Sequence, residues 1–324
     1  MTSAEQIKSP IKDELKAFES FFANTVKSDV ALLNLITKYV LKRKGKQMRP
    51  MFVFLTAHLF GKSNEATNHG AALIELMHTA TLIHDDVVDN SNQRRGFFSV
   101  NALWKNKVAV LLGDFLLSRG LLLAVNNGHY DLLKIVSKAV EEMSEGELLQ
   151  IEQTKKLKIT EAIYFEIIRK KTAVLLAACA AVGAQSVGAS PEKVDLMWQL
   201  GEDLGMAFQI KDDLFDFEAD NQTGKPAGND LQEKKMTLPL IYALQNADTS
   251  IAKSIRKLVS KDKKSKSDIQ QVLNFVVQQG GLEYASEKMM EYQNKALSTI
   301  NSFGDSTYKQ AIVALIEYTI SRKK

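Results

Sequence analysis

Two short acidic patches stand out for their residue types and spacing. Asp85-Asp86-Val87-Val88-Asp89 and Asp212-Asp213-Leu214-Phe215-Asp216 share the pattern Asp-Asp-x-x-Asp, with apolar residues in the gap. On a helix, residues four apart share a face, so Asp85 lies beneath Asp89 and Asp212 beneath Asp216. Like charges at that spacing destabilise an isolated helix by about 0.2–0.5 kcal/mol per pair. Desolvating them costs more, or raises their pKa values until they neutralise. One such patch would pass for a solvated acidic helix end. Two, each closing an apolar helical pattern and each followed by basic residues, call for a compensating cation. Carboxylate oxygens are hard ligands, and no His/Cys set with zinc spacing accompanies them. The apolar gap also lacks the alternating oxygen ligands and mid-loop glycine of an EF-hand. Mg²⁺ fits, because it takes one or two carboxylates and completes its shell with water and substrate phosphates.

Cations occur where a metal-bound diphosphate would need them. Arg94 and Arg95 follow the first patch, and an arginine fork binds phosphate oxygens bidentately. Lys225 and Lys235 follow the second, and Lys46 and Arg49 sit in "KGKQMRP" near the start. Lys171 falls on the apolar stripe Ile163, Ile167, Lys171, Val174, Ala178, where a lysine needs an anion. His78 precedes Asp85 by two helical turns, and Gln209 precedes Asp212 and Asp213 by about one. Asp114 also lies on an apolar stripe and reads as a hydrogen-bonded structural residue.

The elements that must position these groups are helical. No proline lies between Met51 and Ser190, and apolar residues recur there at three- and four-residue spacing. Period-two alternation is missing, so the chain reads as all-α, a single domain over residues 1–324. "FGKSNEA", "RRGFFS", "NNGHYD", "VGASPE", "QTGKPAGND", "QQGG" and "SFGDS" mark helix ends, and "AVLLAACAAVGAQSVGA" reads as a closely packed helix. With 324 residues, 45% hydrophobic and 25% charged, the chain can bury a large core unaided. A formal charge of +4 argues against a nucleic-acid partner. The single cysteine, Cys179, excludes an internal disulfide and suits a reducing compartment. No signal peptide is visible, and "VAVLLGDFLLSRGLLLAV" is interrupted by Asp114 and Arg119, so no membrane span is expected. These features predict a cytoplasmic protein, with peripheral membrane contact open to it.

Taken in order, "GKQMRP", "LIHDDVVD…RRG", "GDFLLSRG", "KTA", "FQIKDDLFDF", "TGKPAGNDL" and "KKMTLPLIYAL" make the sequence resemble the trans-polyprenyl diphosphate synthase family over nearly its whole length. The resemblance implies an all-helical bundle of the isoprenoid synthase type around a central cavity, a homodimer, and an Mg²⁺-dependent prenyltransferase using three ions. It implies Asp85, Asp89 and Asp212 as direct metal ligands, with Asp86 and Asp216 supporting. It assigns Arg94, Lys171, Gln209, Lys225 and Lys235 to the allylic diphosphate, and Lys46, Arg49, His78 and Arg95 to isopentenyl diphosphate. Lys44-Gly45-Lys46 replaces the family's frequent Gly-Gly-Lys, and Lys234-Lys235 its Gly-Lys; neither removes the matched lysine.

The implied reaction ionises the allylic C–O bond, adds the isopentenyl double bond to the cation, and loses a proton to the departing diphosphate. Asp85, Asp86, Asp89, Lys171, Asp212 and Lys225 form the expected catalytic set. In the family, aromatic side chains just before the first patch plug the product channel. Ala80 and Thr81 are small, which predicts a long product. The rivals are a farnesyl or geranylgeranyl diphosphate synthase, a terpene cyclase and a non-catalytic subunit. A cyclase has no need of the isopentenyl set, and a non-catalytic subunit typically loses one acidic patch.

Overall fold

A computed structural model describes residues 4–42, 47–94, 96–156, 159–217 and 228–321, without the side chains of Arg94, Lys155 and Lys156. Its α-helices are α1 (Ala4–Lys8), α2 (Lys12–Thr25), α3 (Ala31–Leu41), α4 (Met48–Ala57), α5 (Glu65–Val88) and α6 (Val100–Asn126). Then come α7 (Tyr130–Lys156), α8 (Glu161–Ile168), α9 (Val174–Ser186), α10 (Pro191–Phe215) and α11 (Asn229–Gln232). The last are α12 (Leu238–Asn246), α13 (Thr249–Ser260), α14 (Lys266–Gln278), α15 (Gly281–Asn301) and α16 (Thr307–Ser321). A π-helical turn, Arg169–Ala173, joins α8 to α9. The only strands among the described residues are β1 (Gln93–Arg94) and β2 (Phe97–Phe98), a two-rung antiparallel ladder. The all-α reading therefore holds, and Gly96, just before β2, has φ +78°.

Helix α9 is the centre of the molecule. Its alanine-rich sequence is buried on every side, as expected of a helix with no polar face. Small side chains let neighbours approach closely. A Cβ on Gly201 of α10 would stand 2.6 Å from Ala177 Cα, so α10 can pack this tightly only with glycine there. Helices α4, α5, α7 and α10 all lie against α9. Helix α5 begins with a capping box between Asn64 and Thr67, which satisfies two backbone groups the first turn leaves open.

Helix α6 corrects the expected placement of Asp114. By length and composition it could cross a bilayer. Its apolar stretch holds Asp114 and Arg119, and neither interrupts the helix. Arg119 Nη2 donates to Lys27 O at 2.6 Å, and Asp114 remains 58% exposed, 3.6 Å from His84 Nε2. Asp114 thus does not sit on a buried stripe. The inner face of α6, including Ala109, Leu112 and Leu116, packs on α5, while Leu103, Leu111, Leu121 and Leu122 face outward.

Candidate active site

Both acidic patches close long helices. Asp85 and Asp86 end α5, with Asp89 as its C-cap; Asp212 and Asp213 end α10, with Asp216 as its C-cap. A helix C-terminus already carries partial negative charge from its carbonyls, so each patch concentrates anionic potential where the backbone opposes it.

The same end of α9 receives both patches. At the start of α5, Thr67 Oγ1 lies 2.8 Å from Ser186 Oγ, and Gly70 faces Val182. On α10, Gly201 faces Ala177 and Gly205 faces Ala173. Both helices therefore run antiparallel to α9 and parallel to each other. At about 1.5 Å rise per residue, Asp85 lies about 22 Å beyond Gly70, or about 9 Å past the level of Ala173. By the same rise Asp212 lies about 10 Å past that level. The two patches stand at one height, beyond the π turn that carries Lys171.

A cavity of about 340 Å³ opens beside the second patch, lined by Lys171, Gln209, Asp212, Asp213, Asp216 and Lys235 among others. A hydrogen-bond chain organises its wall. Thr172 Oγ1 donates to Gln209 Oε1 (2.8 Å), Gln209 Nε2 to Asp213 Oδ1 (2.9 Å), and the Tyr164 hydroxyl to Asp213 Oδ2 (2.7 Å). Burial pushes the Asp213 carboxyl up to about 7 against the opposite pull of these two donors. Burial, reinforced by Asp213, raises the Tyr164 hydroxyl well above its usual range. Asp216 accepts the backbone N–H groups of Asn229 (2.9 Å) and Asp230 (3.1 Å), so it also anchors the chain entering α11.

The cations facing this cavity are held by carboxylates. Lys171 Nζ lies 2.5 Å from Glu147 Oε2 and 3.3 Å from Gln150 Oε1, with its side chain 36% exposed. The buried stripe expected to carry Lys171 is interrupted by the π turn, which lifts the lysine to the cavity wall. Lys235 Nζ is 2.6 Å from Glu233 Oε2 and 3.4 Å from Asp230 Oδ1. Burial lowers its pKa, but hydrogen bonding to Glu233 and the charge of Asp230 outweigh that and raise it.

Across α5, Arg49 Nε and Nη2 form a bidentate pair with Glu75 at 2.9 and 3.3 Å. His78 follows Glu75 by one turn, and its carbonyl accepts from Thr81 Oγ1 at 2.9 Å. Arg49 and His78 are thus brought to one region of α4 and α5. Lys46, Arg95 and Lys225 lie outside the described residues, and Arg94 is described by its backbone in β1 alone.

Of the two chain-length positions, Thr81 is half-buried. Ala80 has no accessible surface and is enclosed with Leu76, Ile83, Leu112 and Leu116 in the α5–α6 seam. Asp86 is also buried, at 5% exposure, whereas Asp89 is exposed. Tyr164 and Thr172 complete the wall without belonging to the expected set. Tyr164 precedes Lys171 by seven residues, two turns on one face, and that spacing was the available signal.

The donor set fits Mg²⁺: hard carboxylate oxygens at two helix ends at one height, with lysines beside them. Among the described residues, no three His, Cys, Asp or Glu side chains already converge as an ion cage.

Comparison with known proteins gives the family. The profile described as "Polyprenyl synthetase" matches residues 30–276. The all-trans-nonaprenyl-diphosphate synthase (geranyl-diphosphate specific) of Rhodobacter capsulatus is 38% identical over 320 residues, 98% of each chain. The crystal structure of a polyprenyl synthase from Caulobacter crescentus, complexed with calcium and isoprenyl diphosphate, superposes with a TM-score of 0.90. It is 31% identical, over 100% of this chain and 99% of the other. A geranylgeranyl pyrophosphate synthase from Bacteroides thetaiotaomicron gives 0.84 at 38% identity, over 99% and 100%.

Proposed function

From the polyprenyl synthetase family, to which this chain belongs, we propose that it is an Mg²⁺-dependent, chain-elongating trans-prenyltransferase. It condenses isopentenyl diphosphate with an allylic diphosphate and releases a long all-trans polyprenyl diphosphate. The observation that carries this reading is the placement of both acidic patches at one height, at the same end of α9.

Asp85 and Asp89 from α5 and Asp212 from α10 would hold the metal, three ions in all, with Asp86 and Asp216 in support. When bound, Mg²⁺ neutralises the charge that develops on the leaving diphosphate. Lys171, Lys225, Lys235 and Arg94 hold that diphosphate, exchanging internal carboxylate partners for phosphate oxygens where they have them. Gln209, fixed by Thr172 and Asp213, presents its amide at a set angle. Lys46, Arg49, His78 and Arg95 orient isopentenyl diphosphate so that its double bond meets the allylic carbon at close range. The apolar helices around the site keep water from the cation. The proton released on chain growth goes to the departing diphosphate.

The small residue Thr81 and the likeness to a nonaprenyl synthase support a long product. The likeness to a geranylgeranyl pyrophosphate synthase supports a short one as the second reading. The outward apolar face of α6 supports a homodimer, and the buried Cys179 a cytoplasmic setting. The test is incubation with Mg²⁺, isopentenyl diphosphate and farnesyl diphosphate, with products sized by mass spectrometry. Hexaprenyl to decaprenyl products support the long-chain reading, geranylgeranyl diphosphate alone the short-chain one. No elongation would remove the synthase assignment.

A further inference from the structure

A second cleft, of about 640 Å³, lies away from both acidic patches, between α8, the first residue of the π turn, α10 and α15. Its floor holds Asp203 and Met206, 4% and 3% exposed, and its walls include the rings of Phe165 and Tyr292, centroids 5.9 Å apart. None of these residues takes part in the chemistry set out above.

The charges around this cleft are already matched, with one exception. Arg169 lies 2.8 Å from Glu142 and 3.5 Å from Glu202. Lys295 pairs with Glu291 at 3.0 Å, and Glu166 lies 3.7 Å from Lys170. Asp203 alone among these charged lining groups has no cation within ion-pair distance among the described residues. Its carboxylate accepts only the neutral Gln199 amide, at 3.3 Å. Burial accordingly raises its pKa to about 6, with the more distant charge of Lys295 opposing the rise and that of Glu202 adding to it. A buried carboxylate without a counter-charge is costly, and a cation entering the cleft would relieve it. Lys295 Nζ already lies 4.8 Å from the Tyr292 centroid, so the Phe165 and Tyr292 rings serve as apolar walls, which suit an organic cation over a bare metal ion.

We propose that this cleft binds a small organic ammonium ligand with a flat apolar body, its charge on Asp203 and its body against Phe165, Tyr292 and Met206. The site is independent of the elongation reading, because no diphosphate or metal ligand lines it.

The test is calorimetric titration of the full chain at pH 8 with 2-phenylethylammonium chloride, with 2-phenylethanol as the neutral counterpart. The ammonium should bind at least tenfold more tightly than the alcohol. Asp203→Asn should abolish that preference, and Tyr292→Leu, which leaves the carboxylate in place, should weaken both ligands. Asp212→Ala should change neither. Equal binding of the two ligands, a preference surviving in Asp203→Asn, undiminished binding to Tyr292→Leu, or loss in Asp212→Ala would each overturn the proposal. So would failure of the ammonium to bind.

Discussion

Gly205→Ala tests whether the packing of α10 on the π turn sets the catalytic geometry. A Cβ at this position would stand 2.8 Å from Ala173 Cβ, and closer still to Ala173 Cα. Relaxing the Cβ–Cβ approach to the 3.4 Å of ordinary contact moves the two elements apart by at least about 0.6 Å. Gln209, Asp212 and Asp213 follow on α10, one to two turns further along, while Lys171 and Thr172 precede Ala173 directly. The substitution therefore separates the two halves of one cavity. Overpacking costs about 1–3 kcal/mol, and the better helix propensity of alanine returns about 1 kcal/mol, which leaves a net loss of about 0–2 kcal/mol. A misplacement approaching 1 Å can cost up to about 100-fold in rate. Turnover with isopentenyl and farnesyl diphosphates should fall about 10- to 100-fold, with a Tm lower by a few degrees. Gly304→Ala, where nothing lies within 4 Å of the added Cβ, is the control and should leave turnover unchanged. Turnover of Gly205→Ala within twofold of the parent would refute the reasoning.

Thr81→Phe should shorten the product, read by mass spectrometry; an unchanged distribution would remove Thr81 from the channel. Ala80→Phe should also shorten it, at an added cost of about 1–3 kcal/mol in stability, because the α5–α6 seam has no room for a ring. Asp203 binds its proton more tightly folded than unfolded, so its contribution to stability falls as pH rises from about 4 to about 6. Asp203→Asn should therefore raise stability above pH 6, by at most about 3 kcal/mol, with the gain vanishing below pH 4 in denaturant titrations. Lys171→Met should raise KM for the allylic diphosphate more than tenfold while leaving the Tm within a few degrees.

Much of this was legible in the sequence because helices report their buried faces through periodicity. The repeated aspartates are visible as a matched pair of helix ends from their spacing alone. The common height of Asp85 and Asp212 was not legible, since it depends on how Gly70, Gly201 and Gly205 let α5 and α10 settle on α9. By spacing Lys171 falls on an uninterrupted stripe, but the π turn adds a residue to that turn of helix and shifts the lysine outward to Glu147. Ala80 was read from its distance to Asp85 alone, and that distance does not tell which neighbour covers it; α6 does. A single aspartate on an amphipathic helix, such as Asp203, is ordinary in sequence, because neither its burial nor its missing counter-charge is written there.

The central claim is that the two patches bind one diphosphate through metal. Calorimetric titration with inorganic diphosphate, with and without Mg²⁺, tests it on the parent protein and on Asp85→Ala and Asp212→Ala. Binding should require Mg²⁺, and each substitution should weaken it at least tenfold while leaving far-UV circular dichroism unchanged. Tight binding without Mg²⁺, or parental affinity in either variant, would contradict the account.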